Sequence, residues 1–125
     1  MLVAIDIGNT NITIGIFDKD ELIGNYRLTT KVRRTSDEYG FMLKTFLDNS
    51  NIHKADVDDV IISSVVPKVM HSFRNGIKKF MEIEPIMVAP GIKSGISVQL
   101  ETQKALDLIE LRIVPELFMN TEGPF

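Results

Sequence analysis

Leu2-Val3-Ala4-Ile5-Asp6-Ile7-Gly8-Asn9-Thr10-Asn11-Ile12-Thr13-Ile14-Gly15-Ile16-Phe17 is the stretch from which the fold is read. Leu2 to Ile5 form an apolar, β-branched run suited to a strand buried on both faces, and the run stops at an acid followed by Gly-Asn-Thr-Asn. Asp6 is therefore expected at a strand end. Beyond the turn, Ile12, Ile14 and Ile16 alternate with Asn11, Thr13 and Gly15, the period of two of a second strand pairing back on the first. Gly8 lets the backbone come close to a ligand, and Asn9, Thr10 and Asn11 supply amide and hydroxyl donors for a polyanion. A carboxylate beside such donors suits a phosphate group and its Mg²⁺, which keeps several waters and takes one or two protein carboxylates. Hairpin chemistry alone also accounts for a Gly-Asn pair at a turn.

Working outward, Glu21 to Leu28 follow the turn at Asp18-Lys19-Asp20 and read as a third antiparallel strand, with Leu22, Tyr26 and Leu28 as its apolar members. Thr29 to Arg34 are polar and basic. A solvated loop explains Arg33-Arg34 more simply than a phosphate clamp does. Thr35-Ser36-Asp37-Glu38 reads as a capping box before an amphipathic helix carrying Tyr39, Phe41, Met42, Leu43, Phe46 and Leu47. After a polar connection from Asn49 to Asp59, Val60 to Val66 form a near-continuous apolar strand, interrupted by Ser63-Ser64 and ended by Pro67, expected to be central and parallel. No histidine pattern supports Ser63 or Ser64 as a nucleophile, so both are assigned to a strand-end turn. Pro67 opens a second helix, to about Met81, with Val69, Met70, Phe73, Ile77, Phe80 and Met81 as its core stripe. Pro85 to Ala89 give a short strand, and this strand and helix order implies parallel pairing. Pro90 to Ile96 form a loop with glycines on either side of Lys93-Ser94.

Composition sets limits on function. With 125 residues the chain is one domain's worth, small for a two-lobed enzyme. A net charge of −3 offers no basic footprint, so nucleic acid is disfavoured as a partner. Cysteine is absent and the two histidines, His53 and His71, have no neighbours at metal-ligand spacing, which argues against disulfides, thiolate chemistry and zinc. The first apolar run is too short to be a signal peptide or membrane span, and a cytoplasmic protein without membrane contact is expected.

Four segments together carry a family resemblance: Asp6-Ile7-Gly8-Asn9-Thr10-Asn11, Arg34-Thr35-Ser36-Asp37-Glu38-Tyr39-Gly40, Ile62-Ser63-Ser64-Val65-Val66-Pro67 and Pro90-Gly91-Ile92-Lys93-Ser94-Gly95. The first resembles the phosphate motif of the acetate and sugar kinase, Hsp70 and actin superfamily. In this wording, and continuously from Met1 to about Gln99, the chain resembles the type III pantothenate kinases. The resemblance implies an α/β fold, the ribonuclease H-like lobe of that superfamily, with a mixed five-stranded sheet and helices on its faces. It implies phosphorylation of pantothenate by ATP in coenzyme A biosynthesis, with Mg²⁺, a monovalent cation (K⁺ or NH₄⁺) and a homodimer. It places ATP at Asp6, Gly8, Asn9, Thr10, Asn11, Ile12 and Thr13, the metal at Asp6, and pantothenate near Gly91, Gly95 and Leu100.

Past that point the pattern departs from the family. The family's substrate-holding tyrosine falls on Leu100, and its Gly-Ala-Asp-Arg falls on Asp107, Leu108, Ile109 and Glu110. The general base position is thus Ile109, which accepts no proton, while Glu110 repels a carboxylate substrate. Asp107 is a weak substitute, because two residues along a helix rotate a side chain by about 200°. Restoring one nucleotide before the Asp107 codon, with synonymous codons freely chosen, gives Gly-Phe-Asp-Arg followed by an Ala-rich helix ending Tyr-Glu-Tyr-Gly. The sequence therefore predicts a frameshift near Leu106, with a phosphate-binding lobe at 1–100, a divergent tail at 101–125, the family's second lobe absent and activity lost. The alternatives are a non-enzymatic accessory or regulatory protein on the same fold, and another small-molecule kinase of the superfamily.

Overall fold

Strand β1 (Leu2–Ile7) lies at the middle of a five-stranded sheet whose order is β3-β2-β1-β4-β5. The structure is a computed structural model that describes residues 1–19 and 21–88. β2 (Asn11–Asp18) returns antiparallel to β1, and β3 (Glu21–Thr29) returns antiparallel to β2, giving the expected meander. Helix α1 (Ser36–Asn49), a single 3-10 turn at Lys54–Asp56 and β4 (Asp59–Ser64) follow, then helix α2 (Pro67–Met81) and β5 (Ile86–Val88). β4 runs parallel to β1, and β5 parallel to β4. The parallel pairs are the ones joined through helices, as short hairpin loops cannot reverse the chain twice.

The two faces of the sheet differ. Val3, Ile5 and Ile7 of β1, Ile12, Ile14 and Ile16 of β2, and Val60 and Ile62 of β4 share one core with Tyr39, Leu43 and Leu47 of α1 and Phe73, Ile77 and Met81 of α2. Both described helices therefore pack on this one face. Every one of these side chains is at most 3% exposed, so each stabilises by roughly 1.5–3 kcal/mol relative to an exposed position. Ala4, Phe17, Ile61 and Val88 form a second, smaller buried cluster on the opposite face. The uniform apolarity of β1 and β4 reflects this double burial.

Helix α1 begins as the sequence indicates. The Thr35 hydroxyl accepts from the Glu38 amide at 3.1 Å, and the Glu38 carboxylate accepts from the Thr35 amide at 2.7 Å. Its buried stripe is Tyr39, Gly40, Leu43 and Leu47, and Phe41, expected with the apolar set, is instead 63% exposed. Two residues beyond Tyr39 is about 200° around the helix, which turns Phe41 to solvent. The helices cross at Gly40 and Gly76. A Cβ at Gly76 would strike the Ser36 carbonyl and the Gly40 backbone, and one at Gly40 would strike the Gly76 carbonyl and the Phe80 ring. The shift in register between Ile16 and Phe17 also divides β3: Leu22 joins Phe17 on one face, while Tyr26 and Leu28 pack against the helix-side core.

Candidate phosphate site at the end of the central strand

Because Val3, Ile5 and Ile7 face the helices, the pleat turns Asp6 to the other side, where it is half-buried one residue before the end of β1. Register builds a row around it. Asp6 is paired with Thr13 on β2 and with Ser63 on β4, and Thr13 is paired in turn with Arg27 on β3. Side chains in such a row share a face. Arg27, Thr13, Asp6 and Ser63 thus form a polar line across four strands, on the face that carries neither described helix.

The turn beyond Asp6 is tied from two directions. The Gly8 amide donates to the Asn11 carbonyl at 2.9 Å, closing the hairpin. A Cβ on Gly8 would sit 3.3 Å from that carbonyl, so glycine fits the close approach of the turn's own backbone. From β3's end, the Thr30 amide donates to the Thr10 carbonyl at 2.9 Å, and the Thr30 hydroxyl donates to the Gly8 carbonyl at 2.9 Å. Thr30 is only 6% exposed. It fixes the turn while Asn9 and Thr10 remain exposed at its tip.

Neighbouring elements end at the same place. The Val65 amide donates to the Ile7 carbonyl at 3.1 Å, and the Ser64 hydroxyl accepts from the Val66 amide at 2.9 Å, a turn that stops β4 before Pro67. This is the strand-end role expected of Ser64. Arg34 donates to the Thr29 carbonyl at 2.7 Å and lies over the Tyr39 ring, 5.8 Å from its centroid. It braces the loop after β3, while Arg33 is exposed. At the opposite end of the sheet, the hydrogen bond and charge of Lys54 hold the Glu82 carboxyl below its ordinary value. Desolvation raises Glu84, but hydrogen bonds from Arg74 and Lys78 outweigh it and leave that carboxyl lowered as well.

The residues singled out in the sequence fall into three groups. Asp6, Gly8, Asn9, Thr10 and Asn11 come together around the turn. Ile12 is fully buried on the helix side and Thr13 is 1% exposed, so Ile12 can meet a ligand only through its backbone. Gly91, Gly95, Leu100, Asp107 and Ile109 lie outside the described residues. Sequence reasoning missed Thr30 and Arg27. The period of two puts Arg27 on the face opposite Tyr26 and Leu28, but no local signal marks Thr30. Among the described residues no group of three or more His, Cys, Asp or Glu is arranged to hold a metal. A carboxylate beside a donor-rich turn suits Mg²⁺ that takes its other ligands from phosphate and water.

Residues 2–107 match the sequence profile of the type III pantothenate kinases. The chain belongs to the type III pantothenate kinase family. It is 58% identical over 106 residues to the type III pantothenate kinase of Bifidobacterium longum (strain DJO10A), covering 85% of this chain and 41% of that protein. Against the type III pantothenate kinase of Agathobacter rectalis the identity is 51% over 98 residues, covering 78% of this chain and 38% of that one. The chain thus spans about two fifths of the length of these family members. Among solved structures it resembles the ROK hexokinase from Thermus thermophilus, with a TM-score of 0.56, 14% identity, and coverage of 74% of this chain and 34% of that one. A putative N-acetylglucosamine kinase from Porphyromonas gingivalis gives a TM-score of 0.51 at 16% identity, covering 71% and 34%. The fold shared with these two kinases is the mixed five-stranded sheet with helices expected from the sequence. Among the described residues no helix is long and apolar enough to cross a membrane.

Proposed function

We propose that this chain is the phosphate-binding lobe of a type III pantothenate kinase, which moves the γ-phosphoryl group of ATP to pantothenate in coenzyme A synthesis in the cytoplasm. The observation that carries the reading is Asp6 at the end of the central strand beside a turn pinned by Thr30, in a chain with this family match. Asn9, Thr10 and Asn11 bind phosphate oxygens through their amides and hydroxyls, and Asp6 holds the metal. When bound, Mg²⁺ neutralises charge on the phosphates. The Gly8 and Thr10 carbonyls are engaged by Thr30, so they turn away from an anionic ligand and leave the donors of the tip to face it. The reading carries with it the family's monovalent cation and homodimer.

The lobe is proposed to be 1–100 and the tail 101–125. The family match stops at residue 107, next to the point where the reconstructed frame departs from the present one, which supports a frameshift near Leu106. Resequencing the gene is one test, and a frame that cannot be reopened by any single-base change removes that part of the proposal. The functional test is ADP release with pantothenate, ATP, Mg²⁺ and K⁺, comparing this chain with a version extended through the reconstructed Asp-Arg segment into a second lobe. Turnover in the extended version alone supports the reading, and equal non-zero rates in both would move the general base to Asp107.

A further inference from the structure

We infer that Arg27 is an anion-binding residue of the same site, contacting the phosphoryl group that the Gly8 to Asn11 turn holds; the inference rests on the phosphate-site reading and deepens it. Register puts Arg27 in the row of Thr13 and Asp6 on a common face. Neighbouring strands are about 5 Å apart, so the Cα atoms of Arg27 and Asp6 are separated by roughly 10 Å, with the short Thr13 side chain between them in the register. An extended arginine reaches more than half that distance. Its guanidinium can therefore come within one phosphoryl group of the Asp6 carboxylate.

The charge balance calls for such a group. A phosphate next to a carboxylate is repelled unless cations sit between or beside them, and a planar guanidinium binds phosphate oxygens two at a time. Several other basic side chains are engaged elsewhere: Arg74 and Lys78 with Glu84, Lys54 with Glu82, Lys79 with Asp37, and Arg34 with the Thr29 carbonyl. Arg27 is exposed and makes no ion pair among the described residues. The competing explanation is a solvated charge protecting the outer strand of the sheet from pairing with other chains. That role needs a charge at this position but no ligand.

The test is a nuclear magnetic resonance titration of the isotopically labelled chain with inorganic pyrophosphate and Mg²⁺, reading the amides of Gly8 to Asn11 and the Arg27 side-chain Nε. Wild type should move both sets along one saturation curve. R27Q should weaken binding about tenfold, R27K should recover part of it, and R33Q should leave it unchanged. Amide dispersion like wild type confirms that R27Q is folded. If the turn amides saturate with the same affinity in R27Q, Arg27 has no part in binding and the phosphate site stands. If the turn amides do not respond in wild type, both readings fall. An acetate titration separates carboxylate from phosphoryl recognition, and an Arg27 response to acetate but not to pyrophosphate overturns the assignment.

Discussion

Thr30 holds the Gly8 to Asn11 turn through two bonds from a strand end 20 residues further along the chain, one from its amide and one from its hydroxyl. T30V keeps the shape but removes the hydroxyl donor, leaving the Gly8 carbonyl without it at a site where Thr30 is almost fully buried. The expected cost is about 1–2 kcal/mol in a urea melt, with faster hydrogen exchange at the Gly8 amide than at the amides of β4. At Asp6 the expected change is in binding: D6N should remove the Mg²⁺ dependence of pyrophosphate affinity, and an unchanged dependence would take the metal away from this residue. Asp6 was legible in the sequence because an acid ends an apolar run. Thr30 was not, since its partners are set by how β3 comes to lie beside β2, and nothing near it in the chain encodes that.

The elements were legible where short-range chemistry determines them. The Thr35 capping box and Pro67 at the first turn of α2 place two helix starts, and the alternating isoleucines of β2 place the helix-side face. T35A should cost about 1 kcal/mol. Illegible were the features that depend on two elements meeting. The register shift at Ile16 and Phe17 sends Leu22 to the face away from Tyr26, and the Gly40 and Gly76 crossing brings two backbones together. G76A should therefore cost about 3 kcal/mol, as the Ser36 carbonyl cannot move without moving the first turn of α1. Below α2, Glu82 has a lowered folded pKa against an ordinary value of 4.5. Its stabilising contribution is present above that ordinary value and fades as pH falls through the lower folded one. E82Q should flatten this acid limb of the stability profile, and an identical limb in both proteins would show that the Lys54 pair contributes nothing.

For the molecule as a whole, the expected affinity follows from geometry. A nucleotide in a two-lobed kinase is enclosed on both sides, and a single lobe offers only the phosphate contacts, without the adenosine contacts and closure of a cleft. Calorimetry should detect at most weak ATP binding to this 125-residue chain, and micromolar affinity would contradict the lobe assignment. General base catalysis contributes roughly 10²–10⁴-fold and positioning of two substrates more, so on the proposed frameshift, which leaves Ile109 where the family has its base, no pantothenate-dependent ADP release is expected.

The contact between Gly40 and Gly76 also governs what the chain tolerates. In a saturation library scored for soluble expression, both positions should accept almost nothing but glycine, and pairing two substitutions should not rescue either, as each side chain would add to the same collision. Phe41, next in sequence to Gly40 and turned to water, should accept nearly every residue. Adjacent codons would then show the widest difference in mutational tolerance anywhere in α1.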